Sequence, residues 1–122
     1  HATATHPTLI EGIGRPRVEP GFIFDVVDAV VEVEDADSIA AAWRLEELLG
    51  RRYGGSSGTN LMACLQLAEG MREQGCNGSI VTLLCDRGDR YAQTLFDHDW
   101  LAAHAIDPGP AHARLAARLQ AA

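Results

Sequence analysis

Residues 79–85 read Ser79-Ile80-Val81-Thr82-Leu83-Leu84-Cys85, a nearly continuous apolar run of strand length. Such a run lacks the polar alternation of a half-exposed strand and suits a strand buried on both faces. Just upstream, Asn77-Gly78 marks a turn, and before it Leu61, Cys64, Leu65, Ala68 and Met71 repeat at helical spacing, ending at Gly75. This predicts a helix that follows the glycine-rich run Gly54-Gly55-Ser56-Ser57-Gly58-Thr59-Asn60. Further back, Ile39, Ala42, Trp43, Leu45, Leu48 and Leu49 stripe one face of another helix, with Asp35 or Asp37 as its N-cap and Gly50 as its stop. Earlier still, Phe22, Val26, Val27 and Val30 have helical spacing after Pro20-Gly21, and Val30-Val31-Glu32-Val33 reads as a short strand. At the other end, 111–122 predicts a terminal amphipathic helix after the Pro108-Gly109-Pro110 break. Helices alternating with strands of this kind imply an α/β fold, a layered parallel sheet with flanking helices. There is no internal repeat.

The 122 residues carry ten basic groups against 17 acidic ones, a net charge of −7, and all ten are arginine. An acidic chain without a basic stripe cannot neutralise many phosphates, which argues against nucleic acid and against an anionic membrane surface. No stretch approaches the roughly 18 consecutive apolar residues of a membrane span, and no signal pattern opens the chain. Three cysteines, Cys64, Cys76 and Cys85, form no metal-ligand spacing and leave at least one thiol unpaired, which favours a reducing, cytoplasmic setting. The polar start, residues 1–8, predicts an exposed lead-in to something longer.

Three stretches carry candidate chemistry. The Gly54–Asn60 run combines glycines and hydroxyls where a helix begins, a place that suits polar ligands because the first N–H groups lack partners; helix capping by Ser56, Ser57 or Thr59 is the simpler account. Glu11-Gly12-Ile13-Gly14-Arg15-Pro16 allows close backbone approach, or is only a tight turn. Cys85-Asp86-Arg87-Gly88-Asp89-Arg90-Tyr91 follows the apolar strand, and in open α/β sheets ligands bind just beyond the carboxyl ends of strands; its charges could equally form a solvated ion pair. His98, His104 and His112, with Asp97 and Asp99 beside the first, match no metal pattern. Trp43 and Trp100 read as packing residues.

Taken in order, Ile10-Glu11-Gly12-Ile13-Gly14, Gly54-Gly55-Ser56-Ser57-Gly58-Thr59-Asn60 and Leu84-Cys85-Asp86-Arg87-Gly88-Asp89-Arg90-Tyr91 resemble the cysteine synthase and cystathionine β-synthase family. These are pyridoxal 5'-phosphate enzymes of the tryptophan synthase β-like fold, fold type II. The resemblance implies that 9–106 form the C-terminal part of the large domain of such an enzyme, with 107–122 a terminal helix. It implies that Ser56 donates to the pyridine nitrogen of the cofactor, that Gly55, Ser57, Cys85 and Asp86 border it, and that Gly12, Ile13, Gly14 and Arg15 lie on the substrate side. The family commonly has proline where Cys85 stands, and a small or aromatic residue where Arg15 stands.

The family's Schiff-base lysine precedes the matching region, and this chain contains no lysine. No residue here is therefore expected to be catalytic in that sense. The implied partner is a lysine-bearing N-terminal part of the same enzyme, in a homodimer acting on a small amino acid. The implied reaction is β-elimination or β-replacement on a serine or cysteine derivative, as in a cysteine synthase or desulfhydrase. Cystathionine formation and 2,3-diaminopropionate formation share the quoted motifs. A reading from another class is a noncatalytic α/β binding or scaffolding module.

Overall fold

Ala40, Ala41 and Ala42 are fully buried, and this run of small side chains decides how the helices meet. The computed structural model describes residues 8–13 and 19–121. Helix α1 spans Asp35–Leu49 and α2 spans Gly55–Glu73. A short α3, His98–Ala103, and α4, Gly109–Ala121, complete the helices, with 3-10 turns at Phe24–Val26 and Gly88–Tyr91. Where α1 crosses α2, a Cβ on Gly58 would collide with the Ser38 carbonyl oxygen and lie 2.8 Å from the Ala42 nitrogen. The two backbones therefore touch, and the Ser38 and Thr59 hydroxyls share a 2.6 Å hydrogen bond beside the contact.

Leu115 of α4 is 1% exposed and packs with Ala41, Met62 and Leu65, so α4 closes one side of the α1–α2 pair. The polar flank of α4 is tied down by Arg118 to Glu69 at 2.5 Å, His112 to Glu47 at 2.5 Å and Arg114 to Asp37 at 3.7 Å. A second apolar cluster joins Ile10, Ile39, Tyr91, Leu95 and Leu101, ringed by Trp43, Phe96, Trp100 and Ile106. The Trp43 indole N–H donates to the Leu95 carbonyl at 2.9 Å, which satisfies the polar tip of a packed ring.

The element boundaries depart from the sequence expectation in identifiable ways. Glu34, not Asp35 or Asp37, is the N-cap of α1. Both aspartates lie in the first turn, where negative charge meets the positive helix end. The Asp35 carboxylate accepts instead from the Thr8 hydroxyl and the Leu9 N–H, at 2.5 and 2.8 Å. Gly50 ends α1 at φ +72°, the left-handed stop expected of it. The glycine-rich run is the first turn of α2, not its approach, because Gly54 is the N-cap and no side chain caps it. Helix α3 is not among the elements that the sequence pattern predicts; Asp97 caps it by accepting from the Asp99 and Trp100 N–H groups.

The predicted helix through Phe22–Val30 is only the 3-10 turn Phe24–Val26. The β-branched Val26, Val27 and Val30 resist helix, and Val26 and Val30 stay 77% and 66% exposed, so no burial offsets that cost. The layered parallel sheet does not form among the described residues. The predicted strands at 30–33 and 79–85 have no strand neighbours there, and the isolated bridge is an antiparallel one between Tyr53 and Arg87. The expected double burial of 79–85 is absent for the same reason: Val81 is 90% and Leu83 72% exposed. One side of the segment is nonetheless fixed to α2. Asn60 Nδ2 donates to the Leu83 carbonyl at 3.1 Å, and the Cys85 N–H donates to Ser57 Oγ at 2.8 Å.

Candidate functional site

Three stretches far apart in sequence meet at the N-terminal turn of α2. The first arrives through Ile10, whose side chain fills the space beside Gly55: a Cβ on Gly55 would lie 2.9 Å from Ile10 Cδ1 and 3.0 Å from Leu95 Cδ1. Gly12 follows with φ +83°, and a Cβ there would meet no atom of the described residues within 4 Å; Ile13 is exposed. Gly14 and Arg15 lie outside the described residues.

The second stretch is the turn of α2 itself. Its first N–H groups have no carbonyls four residues back within the helix, and the helix dipole adds positive potential there. Two adjacent serines in this turn are used differently. Ser57 is fully buried and its oxygen accepts the Cys85 N–H. Ser56 is half-buried, and its hydroxyl has no hydrogen-bond partner among the described residues.

The third stretch is 85–91. The Asp86 carbonyl accepts from the Gly54 N–H at 2.9 Å, and the Arg52 carbonyl accepts from the Gly88 N–H at 2.8 Å. Gly88 can sit there only without a side chain, since a Cβ would lie 2.8 Å from the Tyr53 carbonyl oxygen. One carboxylate oxygen of Asp86 receives Arg90 at 2.9 Å and the Tyr91 hydroxyl at 2.8 Å. Burial and the neighbouring Asp86 carboxylate raise the Tyr91 phenol above the ordinary tyrosine range. Cys85 is exposed, with its sulfur 3.8 Å from Asn60 Nδ2.

Gly55, Ser56, Ser57, Cys85 and Asp86 therefore share one corner, with Gly12 and Ile13 just beyond Ile10. Asn60 and Tyr91 belong to the same corner; in the sequence they stand within the 54–60 and 85–91 stretches with no role given to either. Their signal was present: an Asn inside the helix-opening run, and an aromatic closing a charged turn that needed an apolar anchor. The histidines are elsewhere. His98 and His112 flank the Trp43 ring at 5.6 and 6.2 Å, and His104 stacks on Trp100 at 4.1 Å. Among the described residues no group of three or more His, Cys, Asp or Glu could hold a metal ion. An open recess of about 460 Å³, lined by Trp43, His98, Leu101 and Ile106 among others, is separate from the corner.

L-cysteine desulfhydrase Cds1 of Mycobacterium tuberculosis is 57% identical over 105 residues, which cover 85% of this chain and 28% of that protein. The chain is a homologue of one part of the cysteine synthase and cysteine desulfhydrase family. N-(2-amino-2-carboxyethyl)-L-glutamate synthase of Ralstonia nicotianae is 40% identical over 79% of the chain and 28% of the relative. Cysteine synthase 1 of Neurospora crassa is 34% identical over 77% of the chain and 25% of the relative. The chain thus spans about a quarter of the length of the curated relatives it matches. No protein-family model matches it. No helix among the described residues is long and apolar enough to cross a membrane.

Proposed function

We propose that this chain is the C-terminal part of the large domain of a pyridoxal 5'-phosphate enzyme that eliminates or replaces the β-substituent of cysteine- or serine-type amino acids. Cysteine desulfhydration is the favoured form, because a cysteine desulfhydrase is 57% identical to it. The observation that carries the reading is the division of labour between two adjacent serines. Ser57 spends its oxygen on the Cys85 N–H, and Ser56 keeps its hydroxyl available at the start of α2.

The residues present fit the cofactor's pyridine edge. Ser56 offers one neutral donor, half-buried, and among the described residues no cationic side chain is in hydrogen-bond contact with its hydroxyl. The bound cofactor would supply the electron sink for breaking a bond at the substrate α-carbon. Ser56 would donate to the pyridine nitrogen and, being neutral, leave it unprotonated, which tempers that sink and suits loss of a β-substituent over transamination. Ser57, Cys85 and Asp86 would hold the turn that carries Ser56, with Gly12 and Ile13 facing the substrate side. The proton at the α-carbon would be handled by a lysine of the companion N-terminal part, since this chain has none. A cytoplasmic homodimer completes the reading.

The test is made in the full-length enzyme. Ser56→Ala should shift the visible spectrum of the bound cofactor and lower turnover of cysteine, whereas Ser57→Ala should act mainly on thermal stability. An unchanged spectrum and turnover in Ser56→Ala sinks the assignment. Hydrogen sulfide, pyruvate and ammonia as the products of cysteine and water would support desulfhydration; products only in the presence of a second nucleophile would favour synthesis.

A further inference from the structure

Tyr91 is 7% exposed and sits in the apolar cluster with Ile10, Ile39, Leu95 and Leu101, so its ring is fixed by the core. The edge of that ring fills the space beside Gly54, where a Cβ would lie 2.6 Å from Tyr91 Cε2. The Tyr91 hydroxyl donates to the Asp86 carboxylate at 2.8 Å, and the Asp86 carbonyl accepts from the Gly54 N–H at 2.9 Å. Gly54, Asp86 and Tyr91 therefore form a closed ring of contacts in which each residue holds the other two. Gly54 is the N-cap of α2, and Ser56 stands two residues beyond it. With no partner of its own among the described residues, the Ser56 hydroxyl takes its direction from this backbone.

We propose that Tyr91 is the positioning residue for Ser56: its ring seals Gly54, and its hydroxyl holds Asp86, so that together they set the first turn of α2 and aim the Ser56 hydroxyl. This rests on the reading of Ser56 as the group that faces the pyridine nitrogen. Arg90 reaches the same Asp86 oxygen, but its side chain is 67% exposed and lies over the outside of the Tyr91 ring, so it does not pack against Gly54 as the phenol does. The Gly88 N–H to Arg52 carbonyl bond and the Tyr53–Arg87 bridge extend the same lock by one residue pair but do not touch Gly54.

Tyr91→Phe keeps the ring and removes only the donor. In the full-length enzyme it should shift the cofactor spectrum in the same direction as Ser56→Ala, and lower kcat about tenfold with KM within about twofold. In the Ser56→Ala/Tyr91→Phe double variant the two effects should be strongly non-additive, since one residue acts through the other. Independently of turnover, amide exchange in cofactor-free protein should quicken at Gly54 in Tyr91→Phe and not in Ser56→Ala. If Tyr91→Phe leaves spectrum, kcat and Gly54 exchange as in the parent while Ser56→Ala moves the spectrum, the positioning role fails and the Ser56 reading stands. Additive effects in the double variant also overturn it. If Ser56→Ala itself is silent, the reading of Ser56 fails and takes the positioning role with it.

Discussion

Gly58 shows what one missing methyl group does. Its backbone lies against Ser38 and Ala42 of α1 with no room for a Cβ, and the obstacle is main chain, which cannot rotate away. Gly58→Ala should force α1 and α2 apart and cost about 3 kcal/mol, at or beyond the upper end of ordinary overpacking, measurable as a lower urea midpoint with unchanged slope. Ser57→Ala is a milder case. It leaves the Cys85 N–H without its acceptor, at a cost of about 1 kcal/mol. A proline at 85, common in the resembling family, lacks that N–H altogether, so the bond to Ser57 is particular to a residue that can donate. Tyr91 adds a pH dependence of its own. Folding favours the neutral phenol, so this stabilisation is complete below the ordinary tyrosine range near 10 and is lost as pH climbs toward the raised value. Tyr91→Phe should remove that alkaline limb from a plot of melting temperature against pH.

Among the elements, α4 is tied to both its neighbours by charged pairs. Its pairs to Glu69 and Glu47 anchor it to α2 and α1. Hydrogen bonding from Arg118 lowers the Glu69 carboxyl, and hydrogen bonding from Arg44, then His112, lowers that of Glu47. Both carboxylates are thus favoured as anions in the fold. Their contribution is complete above the ordinary carboxyl range near 4.5 and disappears as pH falls through the lowered values. Acid should therefore loosen α4 before α1 and α2, visible as earlier amide exchange in 109–121, and Glu69→Gln should blunt that early step.

The helices also show what could be read in advance. The stripes in α1 and α2 and the Ala-Leu-Arg pattern of α4 are local and periodic, so they were legible. The meeting of residues 10–13, 54–60 and 85–91 was legible only as a resemblance, because proximity in space has no periodicity. Phe22–Val30 misled because apolar spacing alone does not outweigh β-branched side chains with nothing to bury against. Residues 79–85 were readable as extended and apolar, but a strand's partners are supplied by other chain segments, and nothing within 79–85 encodes them.

At the scale of the whole molecule, several apolar side chains of 23–31 and 81–84 are left facing outward, with Ile23 61%, Val30 66%, Val81 90% and Leu83 72% exposed. Unpaired extended segments with such side chains invite pairing with other chains. The 122-residue chain by itself should self-associate at micromolar concentration, and Val81→Thr/Leu83→Thr should restore a monomer by sedimentation. In a full-length enzyme the same double substitution should lower the melting temperature, because there these side chains would be interior. A noncatalytic stand-alone module predicts the opposite pair of results.

The tether between Ser57 and Cys85 makes one backbone amide unlike its neighbours. Along 79–85 the Cys85 N–H is held by a side chain of α2, whereas none of the others finds an acceptor among the described residues. Deuterium should enter 79–84 within seconds and reach Cys85 much later. Placed beside neighbouring strands, the alternate amides would slow as each ladder bond formed. The exchange rates along this one segment are thus a residue-by-residue clock for completion of the sheet, with Cys85 as its built-in slow reference.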